Sequence, residues 1–133
     1  MKEFEEDWTA FVRYRIAKAD ETYQAAQVLY EAAQWNSTVN RLYYACFYVA
    51  SAILLHRHIT AKSHTGVIGR FSENLVRTGE VSVEKFRVYS KLLNWRTKGD
   101  YSDLYDFTQE DVDMVMEPAR EFIDSVKGLI KLP

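Results

Sequence analysis

Three polar clusters interrupt an otherwise apolar helical pattern, and each sits where a helix should begin or end. Asn40-Arg41 precedes the apolar run Leu42 to Leu55, Lys62-Ser63-His64 precedes a shorter periodic stretch, and Arg96-Thr97-Lys98-Gly99-Asp100-Tyr101 closes another. Their residue types suit anion binding and proton transfer. His64 titrates close to neutral pH, and it follows Lys62 at a helix start, where unpaired backbone N–H groups favour anions. That makes His64 a candidate for moving a proton and Lys62 a candidate ligand contact; a structural histidine at a helix cap is the plainer alternative. Arg96 supplies a fixed cation. Asp100 follows it by four residues, the spacing of a helix-end ion pair. Asp100 could accept a proton only if burial raised its pKa, and an adjacent arginine pushes it down instead. Asn40 alone reads as a helix-start hydrogen-bonding residue, and Tyr101 with Tyr105 as a plug at the end of a bundle.

Other chemistries find no support in the residues. There is no Gly-rich phosphate loop, paired-cysteine zinc spacing or His-Glu-x-x-His motif, the signatures that nucleotide and zinc chemistry require. His56 and His58, two residues apart, would not face one metal from a helix. No metal site or cofactor is implied. The lone Cys46 lies inside the apolar run; it has no disulfide partner and suits burial in a reducing compartment.

The elements that must position these clusters read as helices throughout. Prolines occur only at 118 and 133, so few breakers interrupt a helical period. From about Trp8 to Trp35, Phe11, Val12, Ile16, Ala19, Tyr23, Ala26, Tyr30 and Ala33 recur at three- and four-residue steps along one face. Asn36-Ser37 is expected to form the turn and cap, with a second helix from Ser37 or Thr38 to His56. That helix is apolar on nearly every side, as befits one surrounded by neighbours or shared with a second subunit. Its apolar run of 14 residues is short of the roughly 20 needed to cross a bilayer.

Ser63 is expected to cap a third helix ending at Arg77-Thr78-Gly79, and Ser82 a fourth that Gly99 ends. Asp100 to Phe107 reads as a loop. Thr108 and Asp111 form a capping box at the start of the last helix; Pro118 within it predicts a kink or a start late enough to place it in the first turn. Four to five helices on short connections make an antiparallel all-α bundle, a single domain over residues 1–133.

The formal charge of −2 excludes a protein that coats nucleic acid by charge alone, but its distribution is uneven. Residues 57–98 carry nine Lys or Arg against three Glu, and residues 99–125 one Arg against nine acids. The basic stretch either pairs with the acidic one or forms a phosphate-binding face. The acidic start, Met1 to Asp7, lacks the pattern of a secretory signal, and a cytoplasmic location without membrane insertion is expected.

Asn40-Arg41-Leu42-Tyr43-Tyr44-Ala45-Cys46-Phe47, Lys62-Ser63-His64-Thr65-Gly66-Val67 and Arg96 to Tyr101, in this order and spacing, resemble a subgroup of small prokaryotic proteins of the HEPN family. The resemblance runs from about Ala17 to Val126. It implies a helical bundle that dimerises, with a site in the dimer cleft built from a polar residue early in the second helix and an Arg-x(4 to 6)-His motif late in the fourth. Asn40 and Arg96 match two of those places. The histidine is absent, with Asp100 four residues after Arg96 and no histidine beyond it; Arg57 and His64 match the spacing only across a connector.

Metal-free RNA cleavage needs a base for the ribose 2′-OH and a cation for the charged phosphorane. Arg96 would be that cation, Asn40 would orient the phosphate, and His64 or Asp100 would handle protons. Arg41, Lys62 and Tyr44 are candidate ligand contacts, Tyr44 by stacking on a base or else simply by packing. Tyr101 follows Asp100 where family toxins carry a tyrosine that a partner nucleotidyltransferase can modify, in a different register. The resemblance thus implies the HEPN half of a two-component toxin-antitoxin or defence system that cleaves or binds RNA. The alternative is a noncatalytic dimeric module that holds a nucleotide or RNA, or docks a small nucleotidyltransferase.

Overall fold

The chain is all-helical in a computed structural model that describes residues 2–101 and 106–133, with side chains over 7–97 and 106–133. Helix α1 spans Lys2–Glu31 and α2 Trp35–His56; α3, His64–Phe71, runs on into a π-helical turn, Ser72–Val76; α4 spans Val83–Tyr101, α5 Gln109–Asp113 and α6 Met116–Lys127. Helices α1 and α2 form an antiparallel hairpin. At its open end Trp8 Nε1 donates to the Leu55 carbonyl at 2.7 Å, and at its closed end the rings of Tyr30 and Trp35 meet edge to face.

The first turn falls earlier than Asn36-Ser37. Helix α2 begins at Trp35, because Ala33 takes a left-handed conformation, φ 57°, and closes α1 with bonds from Ala33 N to the Tyr30 carbonyl and from Gln34 N to the Leu29 carbonyl. That is a C-terminal cap in which glycine is the usual residue. Ala33→Gly is therefore expected to raise the unfolding free energy by roughly 0.5–1 kcal/mol, read as a higher urea midpoint, since the left-handed penalty of alanine exceeds the added entropy of glycine in the unfolded chain. Asn36, freed from capping, reaches across instead: its Oδ1 accepts from Phe107 N at 2.8 Å and its Nδ2 donates to Asp106 at 3.2 Å. This clamps the segment before α5 to the start of α2.

Helix α2 is the central post, packed by α1, α3, α4 and α6. Leu42, Tyr43, Ala45, Cys46, Val49 and Ile53 are fully enclosed, and burial pushes the Cys46 thiol up, which suits an inert core residue. By length and composition α2 could span a bilayer, but 67% of its most apolar stretch is buried inside the bundle. Its C-terminus repeats the α1 device: His58 takes φ 59°, Ile59 N bonds the Leu54 carbonyl, and the His58 ring stacks on Trp8 at 4.5 Å.

Three expected caps are present. Ser63 accepts from Gly66 N at 2.9 Å, Ser82 from Lys85 N at 3.1 Å, and Thr108 and Asp111 form the reciprocal box. Gly79, φ 85°, ends the third helical stretch. The last helix is split at Met114–Val115, and α6 starts at Met116, so Pro118 sits in a first turn, where it forfeits no helical hydrogen bond. A further expectation fails: Gly99 does not end α4, which continues through Asp100 to Tyr101, the first two residues of the stretch expected as a loop. A helical glycine costs only about 1 kcal/mol relative to alanine, too little to stop a helix unaided.

Candidate functional site

Two consecutive tyrosines on α2 gather the polar clusters. Tyr43 is fully buried and Tyr44 half-buried beside it, their rings edge to face at 5.1 Å. Arg96 comes from α4 and His64 from the first residue of α3. The Arg96 guanidinium carbon lies 5.3 Å from each tyrosine ring centre, and its Nη2 donates to the Tyr44 hydroxyl at 3.1 Å. From the preceding turn of α2, Arg41 stands 5.0 Å over the same Tyr44 ring. Arg41 also donates from Nε and Nη2 to Asn40 Oδ1 at 3.2 and 2.8 Å. Two arginines are thus held on one aromatic ring, where the negative π face offsets their mutual repulsion.

His64 is fixed from the other side. Its Nδ1 lies 2.6 Å from the Tyr43 hydroxyl, and its ring stacks on Phe47 at 4.5 Å and 15°. Burial pushes the Tyr43 phenol up to about 12, so it stays protonated and can serve either imidazole tautomer as donor or acceptor. Burial first, then the Arg96 charge, lowers the His64 pKa from its ordinary 6.5. The imidazole is therefore neutral at pH 7, the form in which it can accept a proton.

The same shift has a stability consequence. The unfolded chain protonates His64 first, so its contribution is complete above the ordinary value and is lost as pH falls through the lower folded value. In His64→Gln the fall in stability as pH drops below the ordinary value of 6.5 should become shallower, as followed by urea denaturation on the acid side of neutrality; an unchanged slope would place the titration elsewhere.

A cleft of about 380 Å³ opens between α2, α4 and the segment before α5, lined by Asn36, Ser37, Asn40, Arg41, Trp95 and Arg96 among others. Asn40, Arg41, Tyr44, His64 and Arg96 are brought together. Lys62 is not beside the arginines: with His64 it lines a second groove on the far side of Phe47 and Tyr48. The side chains of Asp100 and Tyr101 lie outside the described residues, as does Tyr105. Among the described residues no cluster of His, Cys, Asp or Glu could hold a metal ion.

Three contributors were not apparent as site residues. Tyr43 and Phe47 read first as packing bulk of α2, with base stacking the lesser alternative for Tyr43, although the separations Asn40 to Tyr43 and Tyr43 to Phe47, three and four residues, put all three on one side of α2. Trp95 is masked by its neighbour Arg96.

The model of the HEPN domain matches residues 12–129. The chain belongs to the HEPN family. HEPN relatives include the UPF0332 protein of Thermotoga maritima, 34% identical over 120 residues that cover 90% of this chain and 91% of that one. Two proteins of Methanocaldococcus jannaschii, whose names propose them as toxins, are 30% identical over 84% of this chain and 76% of theirs, and 34% identical over 87% and 86%. The HEPN match covers every element that supplies the site, from α1 to the end of α6.

Proposed function

We propose that this HEPN protein is the toxin-like, RNA-directed component of a two-component system, and that its site cleaves RNA without a metal. The reading is carried by one observation: Arg96, Arg41 and His64 meet around the Tyr43–Tyr44 pair, and Arg96 and Arg41, with Asn40, line an open cleft beside it. The names of the two archaeal relatives support the toxin-like character.

In this reaction a phosphodiester sits against the arginines. A base takes the proton of the ribose 2′-OH, the 2′-oxygen bonds to phosphorus, and the bond to the 5′-oxygen breaks as that oxygen gains a proton. The products are a cyclic phosphate and a 5′-hydroxyl end. Arg96 stabilises the phosphorane charge, Asn40 and Arg41 orient the phosphate, and His64 or Asp100 exchanges the protons. Two copies of the chain, whose dimerisation rests on the family resemblance, bring two such sites to one cleft. A small nucleotidyltransferase acting on Tyr101 is the partner the resemblance implies.

The absence of a histidine after Arg96 favours a second reading, in which the same cleft binds RNA or a nucleotide, or docks the partner, without cleaving. Incubation of the purified protein with total RNA in chelator separates the two. Cleavage by the wild type that is lost in Arg96→Ala supports the nuclease; intact RNA bound in an Arg96-dependent way supports the binding module.

A further inference from the structure

A second groove, of about 500 Å³, lies beyond Phe47 and Tyr48 and is walled by α1, α2 and the start of α3. Its wall holds two aromatic rings that the fold does not need: Phe11 is 59% exposed and Tyr14 65% exposed. Opposite them stand Phe47 and Tyr48, half-buried, with ring centres 5.7 Å apart. The cations along the same groove are Arg15, anchored by a 3.4 Å contact from Nη1 to the Ser51 carbonyl, and the exposed Lys62.

Among the described residues no carboxylate lines the groove; Asp7 lies one helical turn before Phe11 on the same side of α1. The groove and the arginine cleft share no lining residue, and the Tyr44 ring stands between them. Tyr44 contacts both Phe47 and Tyr48, at 6.2 Å each, and His64, stacked on Phe47, lines the groove and also meets Tyr44 edge to face at 5.7 Å.

We infer that this groove is a stacking track for single-stranded RNA, which carries the strand away from the Arg41–Arg96 cleft with bases on Phe11, Tyr14 and Tyr48 and phosphates on Arg15 and Lys62. Aromatic faces interleaved with cations are what a flexible strand requires, because every base presents a π face and every linkage a charge. A protein segment would need acidic side chains spaced to meet both cations, whereas a strand carries a charge at every linkage. From Asn40 to Leu55 the track follows about 22 Å of α2, enough for about six stacked nucleotides at 3.4 Å each. The site therefore selects unpaired RNA by length and not by sequence. The inference deepens the RNA-directed reading and depends on it.

The test uses the full chain and fluorescein-labelled 2′-O-methyl oligouridylates of roughly two to eight nucleotides, which lack the attacking hydroxyl and remain intact. Anisotropy titrations are run at several salt concentrations, with sedimentation of each variant. Affinity is expected to climb with length and level off near about six nucleotides. The double variant Phe11→Ala/Tyr14→Ala, two exposed positions, is expected to weaken the longest oligonucleotides by about tenfold or more and to leave the shortest unchanged. Lys62→Ala should reduce the salt slope by about one.

Equal affinity at all lengths, or full affinity in the double variant, overturns the track, while Arg96-dependent cleavage of total RNA would leave the parent reading standing. A double variant that changes from dimer to monomer and keeps its length dependence also overturns it, and assigns the rings to self-association. A wild type that neither binds nor cleaves any RNA overturns both.

Discussion

Arg96→Ala is expected to lower RNA cleavage by about 10²–10³-fold, the usual cost of removing one preorganised donor to a transition-state oxyanion. Both the geometry of the guanidinium and its surroundings argue for a loss of that size. The group is held over two tyrosine rings and by the Tyr44 hydroxyl, so it needs little reorganisation when charge develops on phosphorus. It is also half-buried, and a partly desolvated cation interacts more strongly with an anion than one in water. Arg96→Lys keeps the charge and loses the planar fork, and should fall between alanine and wild type. The measurement is the initial rate on a single-stranded substrate in chelator, with circular dichroism confirming the helical fold of each variant. A rate within about threefold of wild type in Arg96→Ala would remove Arg96 from the reaction.

The residues that carry this expectation were legible before the structure, and the way they are held was not. Arg96, His64 and Asn40 stand out because a charged or polar residue at the edge of a helical apolar stripe has few structural reasons to be there. Tyr43 did not stand out. In a run such as Leu42 to Leu55 a tyrosine is indistinguishable from packing bulk until its hydroxyl is seen 2.6 Å from His64 Nδ1, a contact across 21 residues that no local pattern encodes.

Helix boundaries divide in the same way. The Ser63, Ser82 and Thr108 caps are local bonds over three residues, so sequence fixes them. The turn at Ala33 is not legible, because alanine carries no turn signal although it takes a left-handed conformation there. The continuation of α4 past Gly99 was missed because glycine weakens a helix without forbidding it. Asn36 reads as a turn residue because its tertiary partner, Phe107 N, lies 71 residues away.

The largest loss of stability is expected at Phe122. Its side chain is fully buried on α6, 5.4 Å from Phe71 of α3 and 5.5 Å from Tyr89 of α4 by ring centres. One residue thereby closes three helices onto one another, on the side of the core away from the α1–α2 hairpin turn. Phe122→Ala should cost about 3–5 kcal/mol, the lost transfer energy of the ring plus the cavity it leaves. Relaxation can refill little of that space, since Phe71 and Tyr89 are themselves fully enclosed and the Tyr89 hydroxyl has no hydrogen-bond partner among the described residues. Urea denaturation followed by circular dichroism reads the loss as a fall in midpoint at constant slope. A loss below about 1 kcal/mol would show that α6 is not seated on α3 and α4 in solution. Because α3 and α4 carry His64 and Arg96, it would also undo the geometry on which the proposed chemistry depends.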